Sequence, residues 1–129
     1  GGWAFCVIGE NDELIYGESG AEVNTTNNRM EFTAMLRALQ WTEKNLNNNF
    51  IEYYTDSALL YNTLTQWIEG WKNNGWKRKT GEIKNLDLVK QLYKYSNKNF
   101  NHVRGHHGNK WNEWCDRAAV AARLALEVN

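Results

Sequence analysis

A mixed α/β fold, a sheet with helices packed on it, is what the sequence predicts, on three observations. Residues 3–18 read as an antiparallel hairpin. Beyond them, segments of helical period alternate with short runs of aromatic and β-branched residues. The 129 residues, 42% hydrophobic and 23% charged, suit a single domain over residues 1–129 with one core.

The first strand is the apolar run WAFCVIG, residues 3–9, and ELIYGE, residues 13–18, returns beside it after the turn Glu10-Asn11-Asp12. Residues 24–45 carry apolar side chains at helical spacing. Residues 50–55 are aromatic and β-branched and form a third strand, stopped by Asp56-Ser57, a pair suited to capping the helix of residues 58–71. A polar, basic loop follows at 73–82, then an amphipathic helix at 85–99. Residues 100–103 are a short strand, 104–110 a loop, and 111–128 a final helix. Proline is absent throughout. Four strands at most are thin for a core of this size, and one more central strand would fit.

Lysine plus arginine and aspartate plus glutamate number 15 each, so any nucleic-acid partner must be met by a local patch and not by overall charge. No apolar run approaches the roughly 18 residues of a membrane helix. The two cysteines, Cys6 and Cys115, lie far apart in sequence and read as reduced thiols of a cytoplasmic protein. The chain opens Gly-Gly without an initiator methionine, so its start reads as processed or internal.

Three carboxylates stand where structure alone does not call for them. Glu31 sits at the inner end of the stripe Ala34, Met35, Ala38, Leu39; complementing the helix dipole is its bland role. Asp56 ends a strand, where α/β folds place their sites, although taken alone a plain helix cap is the simpler account of it. Asp116 precedes the alanine-rich face of the last helix, and complementing the helix dipole or a surface position would explain it too. His106 sits in the glycine-flanked loop RGHHG. Carboxylates gathered at one sheet edge repel unless cations lie among them, and Mg²⁺ is the hard, oxygen-seeking occupant. Zinc fits less well, because His102, His106, His107 and Cys115 lack compact four-ligand spacing.

Four segments, TTNNRMEF (25–32), YTDS (54–57), QWIEGWKNNGWK (66–77) and HVRGHHGNKWNEWCDRAA (102–119), resemble the hallmarks of type 1 ribonuclease H in order and spacing. The resemblance implies a ribonuclease H-like mixed sheet with flanking helices, and hydrolysis of the RNA strand of an RNA–DNA hybrid to 5′-phosphate and 3′-hydroxyl ends. It implies that Glu31, Asp56 and Asp116 hold Mg²⁺, with Mn²⁺ as the alternative ion, and that His106 carries protons. Thr26 would help hold a DNA-strand phosphate, Asn28 with Arg29 beside it would meet the minor groove, where 2′-hydroxyls mark RNA, and Asn27 would bind substrate next to them. Trp67, Trp71, Lys72, Trp76, Lys77, Arg78 and Lys79 would form the basic handle that grips phosphates.

The family opens with a strand ending in Asp-Gly-Ser and a proline–glycine loop, whereas this chain starts at the Gly-Gly that follows. The expectation is therefore a sheet whose central first strand, with the first catalytic aspartate, is absent from residues 1–129. An upstream segment or a separate chain would supply it. The alternative is an impaired or inactive hybrid-binding fragment in need of a complementing strand.

Overall fold

The computed structural model describes residues 1–47, 50–104 and 109–128. Its contacts divide the chain into two compact units, Gly1–Asn47 with Gly105–Asn129, and Asn48–Arg104. The fold is mixed α/β, with one antiparallel and one parallel strand pair among the described residues.

In the first unit, β1 (Gly2–Ile8) pairs antiparallel with β2 (Leu14–Ala21), setting Trp3 opposite Gly20, Cys6 opposite Gly17 and Val7 opposite Tyr16. The predicted turn closes through Gly9 N–H donating to the Glu13 carbonyl at 2.8 Å, with Asp12 in the left-handed region at φ 60°. Period-two alternation gives the hairpin two different faces. One carries Trp3 and Phe5, buried with Met30, and Val7, Tyr16, Ala34, Ala38 and Trp41 pack around them. Met30, Ala34, Ala38 and Trp41 recur at helical spacing along α1 (Asn27–Asn45), which therefore covers this face. The Tyr16 and Trp41 rings stack at 4.4 Å. The other face carries Gly2, Ala4 and Cys6, residues small enough for α5 (Lys110–Val128) to rest nearly on the backbone. A Cβ at Gly2 would stand 1.9 Å from the Ala119 carbonyl oxygen, and one at Gly17 would stand 2.3 Å from the Trp114 ring.

Helix α1 starts at Asn27 and not at residue 24, because Asn24 takes φ 52° and Thr26 is extended and caps the helix. The Thr26 hydroxyl accepts from Arg29 N–H at 3.1 Å, satisfying an otherwise unpaired first-turn donor.

In the second unit, β3 (Glu52–Thr55) pairs in parallel with β4 (Asn99–His102), with Tyr53 opposite Phe100 and Thr55 opposite His102. The strand begins after the expected residue 50; Phe50 is 81% exposed. The helix expected over 58–71 is three pieces: α2 (Ala58–Asn62), one π-helical turn (Thr63–Trp67) and α3 (Ile68–Asn73). Leu60, Leu64 and Ile68 are all buried. Their four-residue spacing would drift by about 80° over two α-helical turns, and the wider π turn offsets that drift. Helix α4 (Leu86–Tyr93) buries Leu88, Val89 and Leu92 and ends earlier than predicted. Tyr95, Ser96 and Lys98 each donate to the carbonyl three residues back, so the polar stretch after Tyr93 makes successive tight turns. No helix among the described residues is long and apolar enough to cross a membrane.

Candidate functional site

Two of the three predicted carboxylates belong to the first unit. Glu31 is exposed on α1 and Asp116 is exposed on α5. Helix-dipole complementation fails for both by position, although both remain exposed. The first turn of α1 contains no acidic residue, so Glu31 lies past it, and the first-turn acid of α5 is Glu113. Both act on one reporter, the half-buried thiol of Cys115. Its hydrogen bond to Cys6 is the largest influence holding its pKa well up, followed by burial, and the negative charges of Asp116 and Glu31 add to the rise. Two helices from opposite ends of the chain thus bring carboxylates into electrostatic reach of the same sulfur.

The start of α5 is fixed by the hairpin turn. Asp12 accepts from the Trp111 indole at 2.6 Å and pairs with the Lys110 ammonium at 2.6 Å. The Lys110 bond, and then the indole, hold the Asp12 pKa below the ordinary carboxylate range. Asn109 adds a side-chain cap, accepting from Trp111 and Asn112 N–H.

Asp56 belongs to the second unit and follows β3 directly, at the carboxyl end of a parallel strand pair. The cap of α2 is its neighbour: the Ser57 hydroxyl accepts from Leu60 N–H at 3.1 Å. Helix capping therefore does not explain the Asp56 carboxylate. Its backbone is braced, since His102 Nε2 lies 3.3 Å from the Asp56 carbonyl oxygen and donates to it when that nitrogen is protonated. The His102 ring stacks on Tyr61 at 5.6 Å. His106 lies outside the described residues.

Of the residues expected to meet nucleic acid, Thr26 serves as a cap, Asn27 and Asn28 are exposed, and Arg29 pairs with Glu22 at 3.6 Å. They occupy the cap and first residues of α1, two to five residues before Glu31. In the expected handle the Trp67 and Trp71 rings lie 6.0 Å apart, Trp76 meets the Tyr93 ring edge-on at 5.8 Å, and the Lys72 ammonium stands 5.7 Å from that ring. These tryptophans pack against other rings, as adjacent helices require. Lys77, Arg78 and Lys79 are exposed and carry no ion pair among the described residues. Gly75 at φ 70° and Trp76 at φ 65° turn the chain sharply to present them.

Sequence reasoning missed the Asp12 clasp, the His102 brace and the meeting of Cys6 with Cys115. The clasp spans 99 positions and the sulfur contact 109, so no local spacing could have signalled either. No group of three or more His, Cys, Asp or Glu side chains forms a ready metal cage among the described residues.

A family model described as RNase H matches residues 1–123. A ribonuclease H of Rhodopirellula baltica is 36% identical over 129 residues, covering 95% of this chain and 80% of the relative. One of Syntrophomonas wolfei is 40% identical over 132 residues, covering 98% and 87%. Among solved structures, LC9-RNase H1, a type 1 RNase H with the type 2 active-site motif, superposes with TM-score 0.73 at 31% identity, over 84% of this chain and 53% of that one. A foamy viral protease–reverse transcriptase in complex with RNA/DNA hybrid superposes with TM-score 0.82 at 14% identity, over 94% of this chain and 17% of that one, a likeness of fold.

Proposed function

The chain belongs to the ribonuclease H family, and from that premise we propose that it is an endonuclease cutting the RNA strand of RNA–DNA hybrids with the help of divalent metal ions. The observation that carries this reading is the RNase H family match over residues 1–123, which spans Glu31, Asp56 and Asp116, with Glu31 and Asp116 exposed on α1 and α5 of one compact unit. Neither carboxylate sits in its helix's first turn.

The donor set is all oxygen, which favours a hard cation, Mg²⁺ or alternatively Mn²⁺, over zinc. The described residues gather no group of three or more His, Cys, Asp or Glu side chains that could hold a metal ion, so the ligand set proposed rests on the family resemblance. Glu31, Asp56 and Asp116 would hold the cation. Bound there, it lowers the pKa of a water and neutralises charge developing on the phosphodiester. The remaining work falls to the protein. Thr26 would help hold a DNA-strand phosphate, and Asn28 with Arg29, next to Asn27, would place the hybrid by its minor groove, where the 2′-hydroxyls identify the RNA strand. Lys77, Arg78 and Lys79, with Lys72, would hold phosphates without reading sequence, while Trp67, Trp71 and Trp76 support them. His106 would carry a proton to or from the reacting phosphate, leaving 5′-phosphate and 3′-hydroxyl ends.

The test is cleavage of a labelled hybrid in Mg²⁺ by Glu31→Gln and Asp56→Asn proteins. Each is expected to lose roughly 10²-fold or more of the rate, with circular dichroism and hybrid binding unchanged. Full activity in both variants would overturn the reading. A wild-type protein that binds hybrid but leaves it uncut would identify a binding module.

A further inference from the structure

The chain contains two cysteines, Cys6 on β1 and Cys115 on α5, and their sulfurs lie 3.6 Å apart although 109 positions separate them. Both are free thiols and both are half-buried. Their contact lies on the seam between the β1–β2 hairpin and α5. Cys6 shares the small-residue face of β1 with Gly2, whose missing Cβ leaves room for the Ala119 carbonyl. Its cross-strand partner Gly17 lies beneath the ring of Trp114, the residue before Cys115. Ala119 follows Cys115 by four residues, on the same face of α5. The helix is therefore held against the hairpin on both sides of the sulfur pair.

We propose that Cys6 and Cys115 close into a reversible intramolecular disulfide that staples α5 to β1 under oxidising conditions. A disulfide needs its sulfurs at about 2.05 Å, so the pair must close by roughly 1.5 Å. Rotation about the two side-chain bonds and a small shift of the seam provide this. The oxidant is a small-molecule disulfide such as oxidised glutathione. One protein sulfur, as thiolate, attacks it and expels one glutathione thiolate, forming a mixed disulfide. The second protein sulfur then attacks the first protein sulfur in that mixed disulfide and expels the other glutathione as thiolate. The S–S bond of the oxidant breaks as the protein's forms, and two electrons pass from the cysteines to glutathione. The two protons from Cys6 and Cys115 leave on the two glutathione thiols.

The link would close most of the chain into a loop, restricting the unfolded state far more than the folded one. It would hold α5, and with it Asp116, on the hairpin without depending on what the protein cleaves.

The experiment treats the full chain with oxidised glutathione, removes the reagent, and reads thiol alkylation, intact mass, non-reducing peptide maps and thermal unfolding. The expected product takes up no alkylating agent, weighs two hydrogen atoms less than the starting protein, and yields one cross-linked peptide holding Cys6 and Cys115. Its melting temperature rises by about 10 °C and returns to the starting value with dithiothreitol. Cys6→Ser and Cys115→Ser proteins show no such rise. Two alkylatable thiols after treatment, glutathione adducts on both cysteines, or linked dimers would each overturn the proposal. So would a cross-linked monomer that melts no higher than the reduced protein.

Discussion

One chemical change, glycine to alanine, should have opposite effects at two positions. Alanine narrows the unfolded ensemble at either site, a gain of about 0.4–1 kcal/mol wherever the native backbone accepts it. At Gly70, inside α3, an added Cβ meets nothing within 4 Å, and replacing a helical glycine should stabilise by roughly 0.5–1 kcal/mol. At Gly17 the same Cβ would stand 2.3, 2.9 and 3.2 Å from three atoms of the Trp114 ring. Ordinary contact begins near 3.4 Å, so the ring must withdraw by about 1 Å, and α5 with it. Overpacking of this kind costs about 1–3 kcal/mol, and a rigid ring belongs in the upper half of that range. Less the gain in the unfolded chain, Gly17→Ala should lose roughly 1–2 kcal/mol net, a fall of about 5–10 °C in Tm, whereas Gly70→Ala should rise by a few degrees. Thermal unfolding followed by circular dichroism at one pH and salt concentration reads both. A Gly17→Ala protein as stable as wild type would show that α5 does not rest on β2 as described.

Three shorter predictions follow from the site. Ser57→Ala removes the acceptor for Leu60 N–H and should cost about 1 kcal/mol in denaturant unfolding while hybrid cleavage persists, because capping belongs to Ser57 and the metal binding we propose to Asp56; loss of cleavage at unchanged stability would reverse those roles. Because Lys110 and Trp111 lower the Asp12 pKa in the fold, the clasp contributes fully above the unfolded-state pKa and fades as pH falls through the lower folded value. Asp12→Asn should therefore flatten the acid side of a Tm-against-pH curve, and an unaltered slope would remove the clasp from the account. Replacing Lys77, Arg78 and Lys79 together with alanine should raise KM for hybrid, leave kcat nearly intact, and reduce the salt dependence of binding by up to about three units of slope; an unchanged slope would show that the handle does not meet phosphate.

Local chemistry made much of this legible. Trp3, Phe5 and Tyr53 lie in the runs read as strands from their apolar and aromatic composition, and all three are buried. The polar turn at residues 10–12 closes the hairpin where its composition indicates. Boundaries were harder, because they depend on single hydrogen bonds: Thr26 and Ser57 each fix a helix start through one hydroxyl, and similar residues stand close by. The π turn gave no compositional sign, only the four-residue spacing of Leu60, Leu64 and Ile68, which reads as an imperfect α-helix. For the site, residue types and motifs singled out Glu31, Asp56 and Asp116, but only coordinates show that none of them is consumed by helix-end chemistry. Asp12 looked like turn filler because its partners lie at the other end of the chain.

The π turn also bears on how this protein can change length. An insertion or deletion inside an ordinary α-helix rotates everything downstream by about 100°, which usually turns a buried stripe toward water. A π turn is a site where the helix accommodates one residue beyond the α-helical repeat. Removing one residue between Thr63 and Trp67 can relax that turn to the ordinary helix and leave Ile68 facing inward, so the handle beyond it keeps its aim. The segment is thus a buffer for indels, where lineages could gain or lose a residue without a second, compensating change.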